Sequence, residues 1–177
     1  MVSLPPTLEK FVVHWGEMGA RWGVNRTVAQ IHALLYISPR PLHAEEVAET
    51  LSVARSNVST SLRELQAWGL VKVVHLLGDR RDHFRAMTDV WEMFHVILEG
   101  RKRREVDPTL EVLRECVSES SDPTRVDPYS RERLLEMLGF FEMTTSWYEQ
   151  VRRMPKGTLT RFVKMGDKVA KLLDAVS

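Results

Sequence analysis

Apolar side chains recur at helical spacing through most of the chain. Leu8, Phe11, Val12, Trp15, Met18 and Trp22 follow Pro5-Pro6-Thr7, which reads as a helix start with Thr7 as N-cap. Gly23 and Asn25 break that run. A second helix is expected over about Arg26 to Ile37, with Val28, Ile31, Leu34 and Leu35 on one face; Ser38-Pro39-Arg40-Pro41 ends it, because proline disfavours helix in the residue before it. A short helix over about His43 to Leu51 and a turn at Ser52-Val53 lead to a helix from about Ala54 to Trp68, terminated by Gly69.

The period then changes. Leu70 to Leu76 is rich in branched residues, and Asp82 to Met87 can return beside it across Leu77-Gly78-Asp79-Arg80-Arg81, which predicts a β-hairpin with a basic loop. Beyond Thr88-Asp89 the helical period resumes with Val90, Trp91, Phe94, Ile97 and Leu98. Pro108 either kinks this helix or begins a new one with Asp107 as N-cap. Ser118 to Pro128 reads as a loop. Two helices close the chain: about Ser130 to Arg153, lined by Leu134, Leu138, Phe141, Thr145 and Tyr148, and about Gly157 to Ala175, lined by Leu159, Phe162, Val169, Leu172 and Val176. The fold expected is mainly α with a small β-hairpin wing: a winged helix-turn-helix plus helical dimerisation elements. Its parts are an N-terminal helix in residues 1–24, a DNA-binding domain in 25–87, and a C-terminal helical dimerisation and effector region in 88–177.

Turning the Ala54–Trp68 helix by 100° per residue puts Ala54, Val58, Ser61, Leu62, Leu65 and Trp68 on one side. Ser56, Ser59, Thr60 and Arg63 point away, with Arg55 and Gln66 at one edge and Asn57 off to the other side near the start. Small polar and basic side chains allow a helix to enter the major groove and bond base edges or phosphates. Arg55, Ser56, Asn57, Ser59 and Thr60 are therefore the candidates for base reading, and Arg63 for a phosphate. At the hairpin tip, Arg80 and Arg81 can enter a narrow minor groove, and Asp79 can orient one of them.

Composition sharpens this only locally. The 177 residues are 44% hydrophobic and 28% charged, ordinary for a globular protein, and the net charge is +1. From Ser52 to Arg85, however, six basic side chains stand against three acidic ones. The single cysteine, Cys116, excludes an intramolecular disulfide and fits a reducing cytoplasm. Met1 to Pro6 has no signal-peptide pattern, and charge interrupts every apolar stretch, so no membrane association is expected. No phosphate-cradling loop, nucleophile elbow or metal-ligand spacing among the six histidines is found, so neither an enzyme nor a metal or cofactor protein is expected. Arg101-Lys102-Arg103-Arg104 reads as a solvated helix surface or as extra phosphate contacts.

Leu51 to Val71, with Arg55-Ser56-Asn57-Val58-Ser59 at its start, Leu62-x-x-Leu65 and Gly69-Leu70-Val71 at its end, resembles the recognition helix and wing of the MarR family of regulators. Gly78-Asp79-Arg80-Arg81-Asp82-His83-Phe84 is similar to the wing of its GbsR-like subgroup, as Gly23-Val24-Asn25-Arg26-Thr27 is to the segment leading into its helix-turn-helix. The resemblance implies a transcriptional regulator, more often a repressor, that binds a pseudo-palindromic double-stranded operator as a homodimer under a small-molecule effector. The aromatic and methionine content of the outer helices (Trp15, Met18, Trp22, Phe140, Phe141, Trp147, Tyr148) fits a dimer surface or an effector pocket, and equally a plain core. The subgroup includes sensors of choline-type ligands, which aromatic cages hold. The rival reading is a winged helix used as a protein-interaction module in a larger assembly.

Overall fold

A computed structural model describes residues 4–122, 124 and 126–166. The chain divides after Ile97 into two compact units. The first begins with α1 (Pro6–Arg21). Thr7 is not its cap: Pro5 holds the N-cap position and Pro6 the first turn, where a missing N–H costs nothing and φ is already helical. Asn25, read as a breaker, is the N-cap of α2 (Arg26–Ile37), its Oδ1 accepting from the backbone N–H of Thr27 at 2.8 Å and of Val28 at 3.4 Å. Between the two helices Gly23 takes φ +76°, open to glycine at no steric cost. α1 and α2 pack closely because Gly16 and Gly19 are buried at their contact.

A two-residue strand, β1 (Leu42–His43), comes next, too short to leave a periodic signal. α3 (Ala44–Leu51) and α4 (Arg55–Ala67) follow, joined through Ser52 in the left-handed region at φ 53°. Then β2 (Val71–Val74) and β3 (His83–Ala86) form the hairpin. The sheet order is β1-β3-β2, all antiparallel, with Val73 opposite Phe84 and His43 opposite His83. Ile31 and Leu34 of α2, Val47 of α3, and Val58, Leu62 and Leu65 of α4 close on Leu70, Val71 and Phe84 in one core. Each such side chain contributes about 1.5–3 kcal/mol by leaving water, and together they fix α4 against the hairpin.

His32 of α2 is buried in this unit, and its Nε2 has no hydrogen-bond partner among the described residues. Burial lowers its pKa from 6.5 to about 4. A histidine that stays neutral when folded takes up a proton more readily once unfolded, so the folded state loses stability as pH falls below the unfolded value. Between about pH 7 and about pH 5 this amounts to about 2 kcal/mol. Denaturant melts of wild type and His32→Leu should differ in pH slope over that interval; parallel slopes would show that His32 is not the group responsible.

From Val90 the backbone is helical without a break to Glu119: α5 (Val90–Arg101), one π turn (Lys102–Val106), and α6 (Asp107–Glu119). Pro108 therefore does not follow a fresh N-cap; Asp107 is itself helical at φ −61° and ψ −46°. The π turn meets the proline in the helix by local widening. It also brings residues five apart together, so that Lys102 Nζ lies 2.8 Å from Asp107 Oδ1. In the second unit α7 (Pro128–Arg152) is capped by Asp127, whose Oδ1 accepts from Ser130 N–H at 3.0 Å, and Arg114 of α6 bonds Glu142 of α7 at 2.9 Å. None of the 25 residues of α7 is buried. Leu134, Leu138, Phe141, Thr145 and Tyr148 are half-buried, as the periodicity predicts, while Met137, Phe140, Met143 and Trp147 form a second, exposed apolar stripe. α8 (Lys156–Lys164) is the last described helix, and Val169, Leu172 and Val176 lie outside the described residues. Among the described residues no helix is long and apolar enough to cross a membrane.

Candidate nucleic-acid interface

α4 buries Val58, Ser61, Leu62 and Leu65 and exposes Arg55, Ser56, Asn57, Thr60 and Arg63, with Ser59 half-buried at the edge. Two positions differ from the helical-wheel reading. Ala54 is exposed, because it precedes the helix as its N-cap, and Trp68 is half-buried at the C-cap. No side chain caps the start of α4. The amide groups of its first turn are thus left for water or an incoming anion.

Beside α4 lies a cleft of about 340 Å³. Arg55, Ser59 and Arg63 of α4 line it together with Arg81 of the hairpin loop, above Val73 and Phe84 and beside Glu45. Four of the eight candidate side chains therefore share one concavity. Ser56, Asn57 and Thr60 stand exposed on α4, and Arg80 is exposed on the loop; none of these four lines the cleft.

Two of the three arginines of this cleft are held by acids. Arg81 donates to the Asp79 carboxylate from Nε at 2.9 Å and from Nη2 at 2.5 Å, and its backbone N–H bonds the same group at 3.0 Å. These hydrogen bonds hold the Asp79 carboxyl well below the usual carboxylate range and raise the Arg81 guanidinium above its ordinary value. The third contact of Arg81 is Nη1 to His43 Nε2, at 2.9 Å. Arg55 is paired with Glu45 of α3. Arg63 reaches Thr60 Oγ1 at 3.4 Å.

His43 joins these pairs. Its Nδ1 lies 2.9 Å from Glu45 Oε2, and its ring meets that of His83 edge-on at 5.5 Å. Its backbone N–H donates to Glu46 at 3.0 Å, while Glu46 is also bonded by Arg40, the contact that does most to lower its pKa. Sequence reading passed over His43, Glu45 and Glu46. The only local signal was the three-residue spacing from His43 to Glu46, the spacing of a capping box. Nothing local points from His43 to Arg81, 38 residues away.

The run Arg101 to Arg104 is largely occupied within its own unit: Arg101 faces Glu105 at 3.5 Å, Lys102 holds Asp107, and Arg103 faces Glu99 at 3.9 Å. This supports the solvated-surface reading. Among the described residues no cluster of histidine, cysteine and acidic side chains fits a metal ion.

A three-helix core whose last helix is backed by a β-hairpin carrying basic residues at its loop is a winged helix-turn-helix. Residues 22–82 match the model of the MarR family. The HTH-type transcriptional repressor GbsR of Bacillus subtilis (strain 168) is 20% identical over 142 residues, which cover 78% of this chain and 78% of that protein. A crystal structure of a transcriptional regulator superposes with a TM-score of 0.61 at 22% identity, over 90% of this chain and 99% of that one, a likeness of fold.

Proposed function

We propose that the chain is a sequence-specific DNA-binding transcriptional regulator, a repressor that acts as a homodimer on a pseudo-palindromic operator. The observation that carries this is the shared cleft: Arg55, Ser59 and Arg63 of α4 and Arg81 of the loop line one concavity, so a single duplex can meet helix and wing together. In this reading residues 25–87 bind DNA. Ser56, Asn57, Ser59 and Thr60 with Arg55 read base edges, Arg63 bonds a phosphate, and Arg80 and Arg81 approach the minor groove. Residues 1–24 and 88–177 supply the dimer contact, for which the exposed stripe on α7 is the support. Regulators of this design work in the cytoplasm, and the same flanking helices would house a small-molecule effector.

Selection of bound sequences from a random double-stranded pool tests the reading. The expected product is a two-fold symmetric site with half-sites about one helical turn apart. Arg81→Ala should then lower affinity about tenfold across sequences, while Ser56→Ala or Asn57→Ala should relax preference at particular base pairs, each worth about 1–3 kcal/mol. A pool that shows no enrichment after repeated rounds would exclude sequence-specific binding and leave the hairpin as a surface for protein partners.

A further inference from the structure

We infer that His43 is a positioning residue for the wing: it fixes the side chain of Arg81 through Nε2 and lets it go when the imidazole is protonated, which makes DNA binding depend on pH. The inference rests on the DNA-binding reading above.

The protonation pattern follows from donor arithmetic. A guanidinium can only donate hydrogen bonds. Arg81 Nη1 lies 2.9 Å from His43 Nε2, so that nitrogen is bare. In the neutral ring the proton then sits on Nδ1, which faces Glu45 Oε2 at 2.9 Å and donates to it. In this tautomer Nδ1 gives up the long 3.4 Å capping contact from Glu46 N–H, and the Glu46 carboxylate on the backbone N–H of His43, at 3.0 Å, is the half of the capping box that remains. Arg81 spends two of its five N–H groups on Asp79 and one on His43, which leaves two for an acceptor outside the protein. Asp79, on the same loop as Arg81, holds the Nε–Nη2 edge of the guanidinium. The added bond ties Nη1 to His43 at the end of β1, directly before α3, which is packed in the core beside α4.

Protonation at Nε2 replaces an acceptor with a donor facing a guanidinium, and the contact is lost. Charged groups face the ring from several sides. Glu45 of α3 lies at Nδ1, Glu46 Oε2 lies 3.5 Å from Nε2, and Arg81 faces the same nitrogen. His83 of β3 meets the ring edge-on; its Nδ1 lies 3.0 Å from the Arg81 carbonyl, and its Nε2 is 3.6 Å from Asp79. Arg55 and Arg40 pair with Glu45 and Glu46. Without the His43 contact Arg81 retains Asp79 alone.

Affinity for the selected site should be measured from about pH 5 to about pH 8.5, the range in which histidine changes charge, for wild type, His43→Gln, His43→Phe and Arg81→Ala. Glutamine keeps an acceptor that does not titrate, so H43Q should bind like wild type at high pH and stay level where wild type weakens. H43F, with no acceptor, should bind about tenfold less tightly throughout. Adding H43F to Arg81→Ala should cost nothing further, because the histidine acts only through the arginine. Equal pH profiles for wild type and H43Q, or additive losses in the double variant, would overturn the inference. The contact can also be read without DNA. In ¹⁵N-labelled protein at high pH, Nε2 of His43 should resonate as the bare nitrogen and shift in Arg81→Ala. A neutral ring protonated on Nε2 would end the proposal even if the protein binds DNA. If no DNA is selected but the nitrogen behaves as expected, the contact stands and the DNA-binding reading falls.

Discussion

Phe140→Asp combined with Trp147→Asp should turn the protein into a monomer of unchanged fold and lower its affinity for the selected operator about 100-fold. Met137, Phe140, Met143 and Trp147 are 51%, 56%, 64% and 58% exposed at helical spacing on one face of α7. A contiguous apolar stripe of this kind, on a helix that already half-buries another, calls for a partner surface. A second copy meets the need by symmetry. Carboxylates at exposed positions leave the protomer intact, whereas a charge shut into an interface without a partner is costly. Loss of the dimer makes each half-site bind alone, and the gain from linking two binding events disappears. Light scattering gives the mass and a gel shift the affinity. Phe141→Asp, on the half-buried stripe, is the contrast, expected to lower the melting temperature. A double variant that remains dimeric would move the interface elsewhere.

Gly19→Val should destabilise the first unit by about 3 kcal/mol, a fall of about 15 °C in melting temperature. A Cβ built on Gly19 meets the Cβ of Ala29 in α2 at 2.5 Å. Neither atom has a flexible end to swing away, so α1 and α2 must move apart, and the core residues Val12, Val28 and Ile31 lose packing as they do. Gly16 makes a contact of the same length, but with Cγ of Gln30, a side chain that can rotate. Gly16→Ala is accordingly the milder change. Ala29→Gly should recover part of the loss in Gly19→Ala. Thermal melts of the four variants decide the matter, and a Gly19→Val protein that melts with wild type would mean the helices are not in close contact.

What the sequence made legible was local. α2 has the bounds that the apolar period and Pro39 imply, and α4 differs by one residue at each end, because both meet a strong stop; α4 buries a single stripe, whereas α2 also buries Ala29, His32 and Ala33 off the face that the period marks. The hairpin was readable from branched residues around a glycine-bearing loop. β1 was not, since two residues carry no period and form a strand only because β3 lies beside them. The π turn was hidden because the residues of Lys102–Val106 are ordinary helix formers, and the proline follows the distortion. At the candidate interface the polar face of α4 and the arginines of the loop followed from spacing. The acids that restrain Arg55 and Arg81 did not all follow. Asp79 is a neighbour in sequence, but Glu45 comes to the cleft only through the packing of α3, and His43 comes to Arg81 only through the pairing of β1 with β3.

The restrained arginines bear on how the protein would respond to ionic strength. Each phosphate neutralised by a protein cation sheds condensed counterions, and affinity then falls with salt at a slope of about 0.9 per phosphate. Arg55 beside Glu45 and Arg81 beside Asp79 bring no net charge to the duplex while they keep those partners. Only Arg63 and Arg80 of the four arginines arrive without a carboxylate partner among the described residues. The slope per protomer should lie nearer two counterions than four, so binding followed across a salt series would fall off less steeply than four unpaired arginines imply.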